Sequence, residues 1–194
     1  YKGVSEEGIY RHFVQLLETI GRDARVFLYH IPPIAIVGIP ATLAARLRAE
    51  FPEQIVGIKD SSGEWENTHA LLDIDGLVVY PGSELPLVEA LELGAPGCIS
   101  ATATLNGRAI AKVIDAYFDS DTDMARELHG HVKRFRLLIQ DYAPIPAQKR
   151  LLALLRGDGR WANVRPPLVE MPEAQGRKLL DTLSREFELA VPAS

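Results

Sequence analysis

The chain alternates short apolar runs with longer segments whose apolar residues recur every three to four positions. The runs are Arg25-Val-Phe-Leu-Tyr29, Ile55-Val-Gly-Ile-Lys59, Leu77-Val-Val-Tyr80 and Gly97-Cys-Ile-Ser-Ala101. Each is bounded by turn residues and reads as a strand. Helical spacing predicts helices over about Ser5–Ile20, Pro40–Glu50, Trp65–Leu72, Glu84–Leu93 and Asn106–Phe118. Ser5, ahead of Glu6 and Glu7, offers the first helix an N-cap and first-turn acids. The runs lack polar alternation, which predicts strands buried on both faces. Strands alternating with helices predict a parallel α/β sheet joined by right-handed crossovers. A doubly wound open sheet and a (β/α)8 barrel both satisfy that order. Beyond Phe118 the pattern is helical only, over Thr122–Ile139, Pro146–Leu155 and Ala174–Leu189, with a Pro-rich connection at Val164–Leu168. The expected organisation is an α/β part over residues 1–120 and a helical appendage over 121–194, packed on it, with no linker rich enough in Gly, Ser or Pro to separate them.

At 194 residues the chain can bury a substantial core, but it falls short of the roughly 250 residues of a complete (β/α)8 barrel. A net charge of −5 gives no electrostatic reason to expect nucleic acid as a partner. No apolar stretch reaches the roughly 18 residues of a membrane span. Tyr1–Tyr10 is too polar for a signal peptide. Cys98, the only cysteine, excludes an internal disulfide and fits a reducing cytoplasm. Flanked by Gly97 and Ile99, it reads as a small buried hydrophobe. The chain opens on Tyr1 without an initiator methionine, as a partial or processed chain does.

Chemistry in parallel α/β proteins gathers at the C-terminal strand ends. The second run ends in Lys59, at the edge of a turn, Asp60-Ser61-Ser62-Gly63. A lysine desolvated there loses its preference for the charged form and can condense with a ketone. Its plain alternative is a lysine snorkelling into water. Tyr29 closes the preceding run, 30 residues earlier, about one βα unit. Tyr29 and Lys59 therefore point from adjacent strands into one mouth, where a phenol can shuttle the protons of imine chemistry. Gly82 leaves room for a ligand, and Ser83, Ser100, Thr102 and Thr104 offer hydroxyls to it. His129 and His131 lie two apart on a predicted helix, face different directions and read as surface residues. His12, His30 and His69 show no ligand spacing, so no metal is expected. Arg126, Lys133, Arg134 and Arg136 form a basic helix face, a solvated face or oligomer contact.

These segments resemble a known family. Tyr29-His30-Ile31-Pro32 resembles the Tyr-x-x-Pro segment of the dihydrodipicolinate synthase and N-acetylneuraminate lyase family, and Gly57-Ile-Lys-Asp-Ser-Ser-Gly63 its Schiff-base lysine motif. Gly94–Ser100 resembles its entry to the eighth strand, and Pro144–Lys149 the opening of a C-terminal helix. The resemblance implies the second half of a TIM barrel, strands five to eight, followed by three extra helices, in an N-terminally partial chain. It implies that Lys59 forms an imine with pyruvate or another 2-oxo acid and that Tyr29 shuttles the proton. Tyr1 matches a second tyrosine of the proton relay. The substrate site is expected to draw on Ser61, Gly82, Ser83, Glu84, Ile99, Ser100 and Thr102. The resemblance implies no metal or organic cofactor, a small-molecule partner and a homo-oligomer, a dimer or tetramer. Synthases of the family carry an arginine two residues after the Tyr-x-x-Pro proline, to hold the carboxylate of the aldehyde substrate. Ile34 stands there, and an apolar residue cannot make that charge-assisted contact. The expected activity is therefore a class I aldolase or lyase acting on a 2-oxo, sugar-acid-like substrate. The alternatives are 4-hydroxy-tetrahydrodipicolinate synthase and a non-catalytic binder of 2-oxo acids.

Overall fold

The computed structural model describes residues 3–189. The chain divides into two compact units at Ser100/Ala101. In the first, strands β1 (Val26–His30), β2 (Ile55–Asp60) and β3 (Val78–Pro81) form one parallel sheet in chain order. Helix α1 (Glu6–Ile20) precedes β1, and α2 (Pro32–Ala35) and α3 (Ala41–Glu50) join β1 to β2. Helix α4 (Trp65–Leu72) joins β2 to β3, and α5 (Leu87–Glu92) follows β3. The Ser5 hydroxyl caps α1, accepting from the Gly8 N–H at 3.2 Å. Helix α5 starts later than its spacing predicts, because Pro86, which fixes φ, stands at its N-cap.

Side chains alternate across a strand, so the register sorts them by face. Leu28, Ile58 and Val79 share one face, each 2% exposed or less, and join a core with Leu17, Leu43, Leu47 and Leu71. The other face carries two cross-strand rows, Phe27–Gly57–Val78 and Tyr29–Lys59–Tyr80. Phe27 and Tyr29 are each 48% exposed there, and Val78 38%. The expectation of strands buried on both faces therefore holds for the helix-covered face only. Gly57 makes the first row possible. A Cβ on it would strike the Phe27 ring and lie 2.6 Å from the Val78 carbonyl oxygen.

The fourth run, expected as a strand, is not one. Gly97–Ser100 makes a single ladder bond, from the Ile99 N–H to the Pro81 carbonyl at 2.9 Å. Pro96 brings no donor at its start, and the chain turns at Ala101–Thr102 before a ladder can grow.

The second unit is helical: α6 (Ala103–Phe118), α7 (Thr122–Gln140), α8 (Pro144–Arg156) and α9 (Glu173–Ser184). Leu105, Phe135, Ile139, Leu151 and Leu179 form its core. Asp121 caps α7 through the Met124 N–H, and Gly157, in the left-handed region at φ 64°, closes α8. Helix α6 kinks at Asn106, whose φ of −119° is not helical. His129 is buried, not a surface residue, because it falls on the α7 stripe of Ala125, Val132, Phe135 and Ile139. His131, two residues on, is half exposed.

Candidate active site

The C-terminal strand ends are tied together by a stair of backbone bonds. The Ser61 N–H donates to the His30 carbonyl at 2.7 Å, the Gly82 N–H to that of Asp60 at 2.6 Å, and the Ile99 N–H to that of Pro81. Each segment leaving the sheet is thus fixed to the strand before it. The buried carboxylate of Asp60 holds the turn after β2, accepting from the Ser62 N–H at 2.9 Å, Asn67 Nδ2 at 3.1 Å and the Thr68 hydroxyl at 2.6 Å. Asp60 was not singled out in the sequence, although Thr68 one helix turn into α4 is the partner its position asks for. Buried His30 pins the loop after β1, its Nδ1 accepting the Ile39 N–H at 2.7 Å.

On this frame the Lys59 Nζ donates to the Tyr29 hydroxyl at 3.0 Å and sits 4.2 Å from the centroid of the same ring. The in-register pairing of Tyr29 with Lys59 produces that contact, and Tyr80 flanks Lys59 on the other side. Tyr80 pairs with Phe27 at 6.0 Å between ring centroids. The Lys59 hydrogen bond, and after it that of the Ser61 hydroxyl, hold the Tyr29 phenol below the ordinary tyrosine range. Ser61 abuts Gly82, where a Cβ would collide with the serine hydroxyl and stand 2.9 Å from the Asp60 carbonyl oxygen. Tyr29, Lys59, Ser61 and Gly82 are therefore one cluster.

The remaining candidates divide. Glu84 is fully buried and accepts the Ser100 hydroxyl at 2.5 Å. Ser83 caps its own turn, accepting the Leu85 N–H at 3.1 Å. Ile99 is 45% exposed. Thr102 is fully buried in the second unit, at the N-cap of α6, and Thr104 lies in the first turn of that helix. Tyr1 lies outside the described residues. Cys98 is half-buried. Ile34 sits in α2, largely exposed. Among the described residues no group of three or more His, Cys, Asp or Glu could hold a metal ion, and no helix is long and apolar enough to cross a membrane.

The dihydrodipicolinate synthetase family model matches residues 1–186. The chain belongs to the dihydrodipicolinate synthetase family. Over its whole length it is 31% identical to an uncharacterized DapA-like lyase of Chloroflexus aurantiacus, covering 60% of that protein. It is 30% identical, over 94% of the chain, to the 4-hydroxy-tetrahydrodipicolinate synthase of Thermodesulfovibrio yellowstonii, covering 62% of it. The crystal structure of dihydrodipicolinate synthase from Agrobacterium tumefaciens superposes with a TM-score of 0.76 at 29% identity, covering 97% of this chain and 63% of that one. The chain thus spans about three-fifths of the length of these members of the dihydrodipicolinate synthetase family.

Proposed function

We propose that this chain carries the imine-forming half of a pyruvate-dependent class I aldolase or lyase, with Lys59 as nucleophile and Tyr29 as proton shuttle. The observation that carries the reading is the 3.0 Å contact between the Lys59 Nζ and the Tyr29 hydroxyl across adjacent parallel strands. In its neutral form the Lys59 amine adds to the C2 carbonyl of a 2-oxo acid. The Tyr29 hydroxyl protonates the carbinolamine oxygen, which leaves as water, and a protonated imine and a phenolate remain. The phenol recovers its proton from the substrate hydroxyl at C4 as the C3–C4 bond breaks, which releases an aldehyde and leaves the enamine of pyruvate. The covalent imine takes the place of any cofactor. Gly82 and the Ser61 hydroxyl, which share the Tyr29–Lys59 cluster, are candidates to orient the substrate, with Ser83 and Ser100 as further ones.

The full-length protein of this reading is a (β/α)8 barrel, of which these residues supply the second half, with three formed strands, and the appended helices. The open sheet face with Phe27 and Val78 on it supports this, because a closed barrel covers such a face. We read that protein as a homo-oligomer of the cytoplasm.

Borohydride reduction of the full-length protein in the presence of pyruvate tests the assignment. The expected product is a carboxyethyl group on the peptide containing Lys59, located by mass spectrometry. An unmodified Lys59 after full exposure would refute it and would favour a binder of 2-oxo acids that makes no imine. The relatives named as synthases support a second reading, condensation of pyruvate with aspartate semialdehyde. Ile34 favours the lyase reading, since it offers no cation for that aldehyde's carboxylate. Comparing pyruvate release from a panel of 4-hydroxy-2-oxo acids with consumption of aspartate semialdehyde separates the two.

A further inference from the structure

The second unit holds a cleft of about 500 Å³ between α6, α7 and the segment after α9. Two independent features of its lining point to one chemistry. Asn106, at the kink of α6, borders the cleft while only 3% exposed, and its Nδ2 finds no acceptor among the described residues. Buried amide N–H groups are as a rule paired with an acceptor, which a protein group, a water or a ligand supplies. Arg108 and Lys112 stand at i and i+4 on the same helix and also border the cleft. Like charges at that spacing repel, and neither has a carboxylate partner among the described residues. Of the acids at the rim, Glu186 is already held by Arg134 at 2.5 Å, with His131 4.0 Å from it. Glu188 is the one carboxylate left to oppose the two cations. With Glu186 taken up by Arg134, the two cations face one remaining carboxylate beside a buried donor, and Leu128 and Val132 add apolar wall.

We infer that this cleft is a binding site for a small organic oxyanion, a carboxylate or a phosphate, held by Arg108 and Lys112 at the rim and by the Asn106 amide at the floor. An oxyanion supplies the acceptor that Asn106 lacks and sits between the two cations that otherwise repel. Its own apolar part meets Leu128 and Val132. The site uses no residue of the Tyr29–Lys59 cluster.

The test is titration of the full-length protein with inorganic phosphate and, separately, with succinate, at constant ionic strength. Binding is read by calorimetry and by the Asn106 side-chain amide resonance. The expected result is saturable binding of at least one probe, with that resonance shifting. The probe that saturates assigns the ligand as phosphate or carboxylate. Arg108→Gln/Lys112→Gln and, separately, Asn106→Leu each weaken binding by about tenfold or more, the equivalent of one charge-assisted hydrogen bond. The paired glutamine substitutions lie on the exposed helix face, so they remain informative if Asn106→Leu does not fold. Lys59→Ala binds as the parent does, whatever its imine chemistry. Absence of saturation with both probes means that water alone fills the cleft and overturns the site, as does binding indifferent to the Arg108/Lys112 pair.

Discussion

The Tyr29 phenol and the Lys59 amine matter as a pair, because each alters what the other can do. A phenol oxygen that accepts from an ammonium group gives up its proton more readily, so the Lys59 contact holds the Tyr29 phenol below the ordinary tyrosine range. If Lys59 is the nucleophile as proposed, Lys59→Ala in the full-length protein should abolish turnover and borohydride trapping together. Tyr29→Phe leaves the amine in place. It lowers turnover by about 10²–10⁴-fold, the range of a lost general acid–base, while some trapped imine persists. Equal rates in Tyr29→Phe and the parent would remove Tyr29 from the mechanism. A second prediction concerns titration. Followed by tyrosinate absorbance, the transition lost in Tyr29→Phe lies below the ordinary tyrosine range, and Lys59→Met moves it back up. The folded-state pKa is depressed. The stability it contributes is therefore fully present above the unfolded-state pKa and is lost as pH falls through the folded-state one. No upward movement in Lys59→Met would mean that the lysine is not the cause.

At the scale of elements, the turn after β2 decides whether Lys59 stays in register with Tyr29. Asp60 carries that turn through three donors while only 3% exposed. Asp60→Ala leaves the Ser62 N–H and the Thr68 hydroxyl short of their acceptor, at a cost of about 3 kcal/mol. Urea unfolding of Asp60→Ala against the parent measures this, with the midpoint falling and the slope unchanged. A loss below about 0.5 kcal/mol would show that the turn holds without its carboxylate. The placement of Tyr29 beside Lys59 was legible in the sequence because each lies at the end of an apolar run and the two are one βα unit apart, which puts them on adjacent parallel strands. Helices α3, α4 and α7 were legible from their spacing for the same kind of reason. What escaped was whatever depends on a third element. Tyr80 meets Lys59 only through the β2–β3 register. The Gly97–Ser100 run has strand composition but gains a single ladder bond. His129 reads as polar until it is set on the stripe of Ala125, Val132 and Phe135.

For the whole molecule, two separate cores and one open sheet face set the behaviour. Each unit has its own apolar cluster, one around Leu43, Leu47 and Ile58 and one around Phe135, Leu151 and Leu179. On the open face Phe27, Tyr29 and Val78 are 38–48% exposed. A contiguous apolar patch of this kind marks an interaction surface or an aggregation hazard. The barrel reading says that the rest of the full-length protein closes over it. A polypeptide of these 194 residues alone should then bind a fluorescent apolar dye on this face and self-associate as its concentration rises. The full-length protein should do neither through these residues. Phe27→Ser/Val78→Ser in the short chain should lower dye binding, because it removes the two largest exposed apolar groups of that row. In the full-length protein the same pair should instead destabilise the fold, by about 3 kcal/mol or more for two buried apolar side chains. The contrast is the test, since a substitution that is harmless on an open surface becomes costly only where something packs against it. Equal, small effects in both polypeptides would mean that the face stays open, and the barrel reading would fall with it.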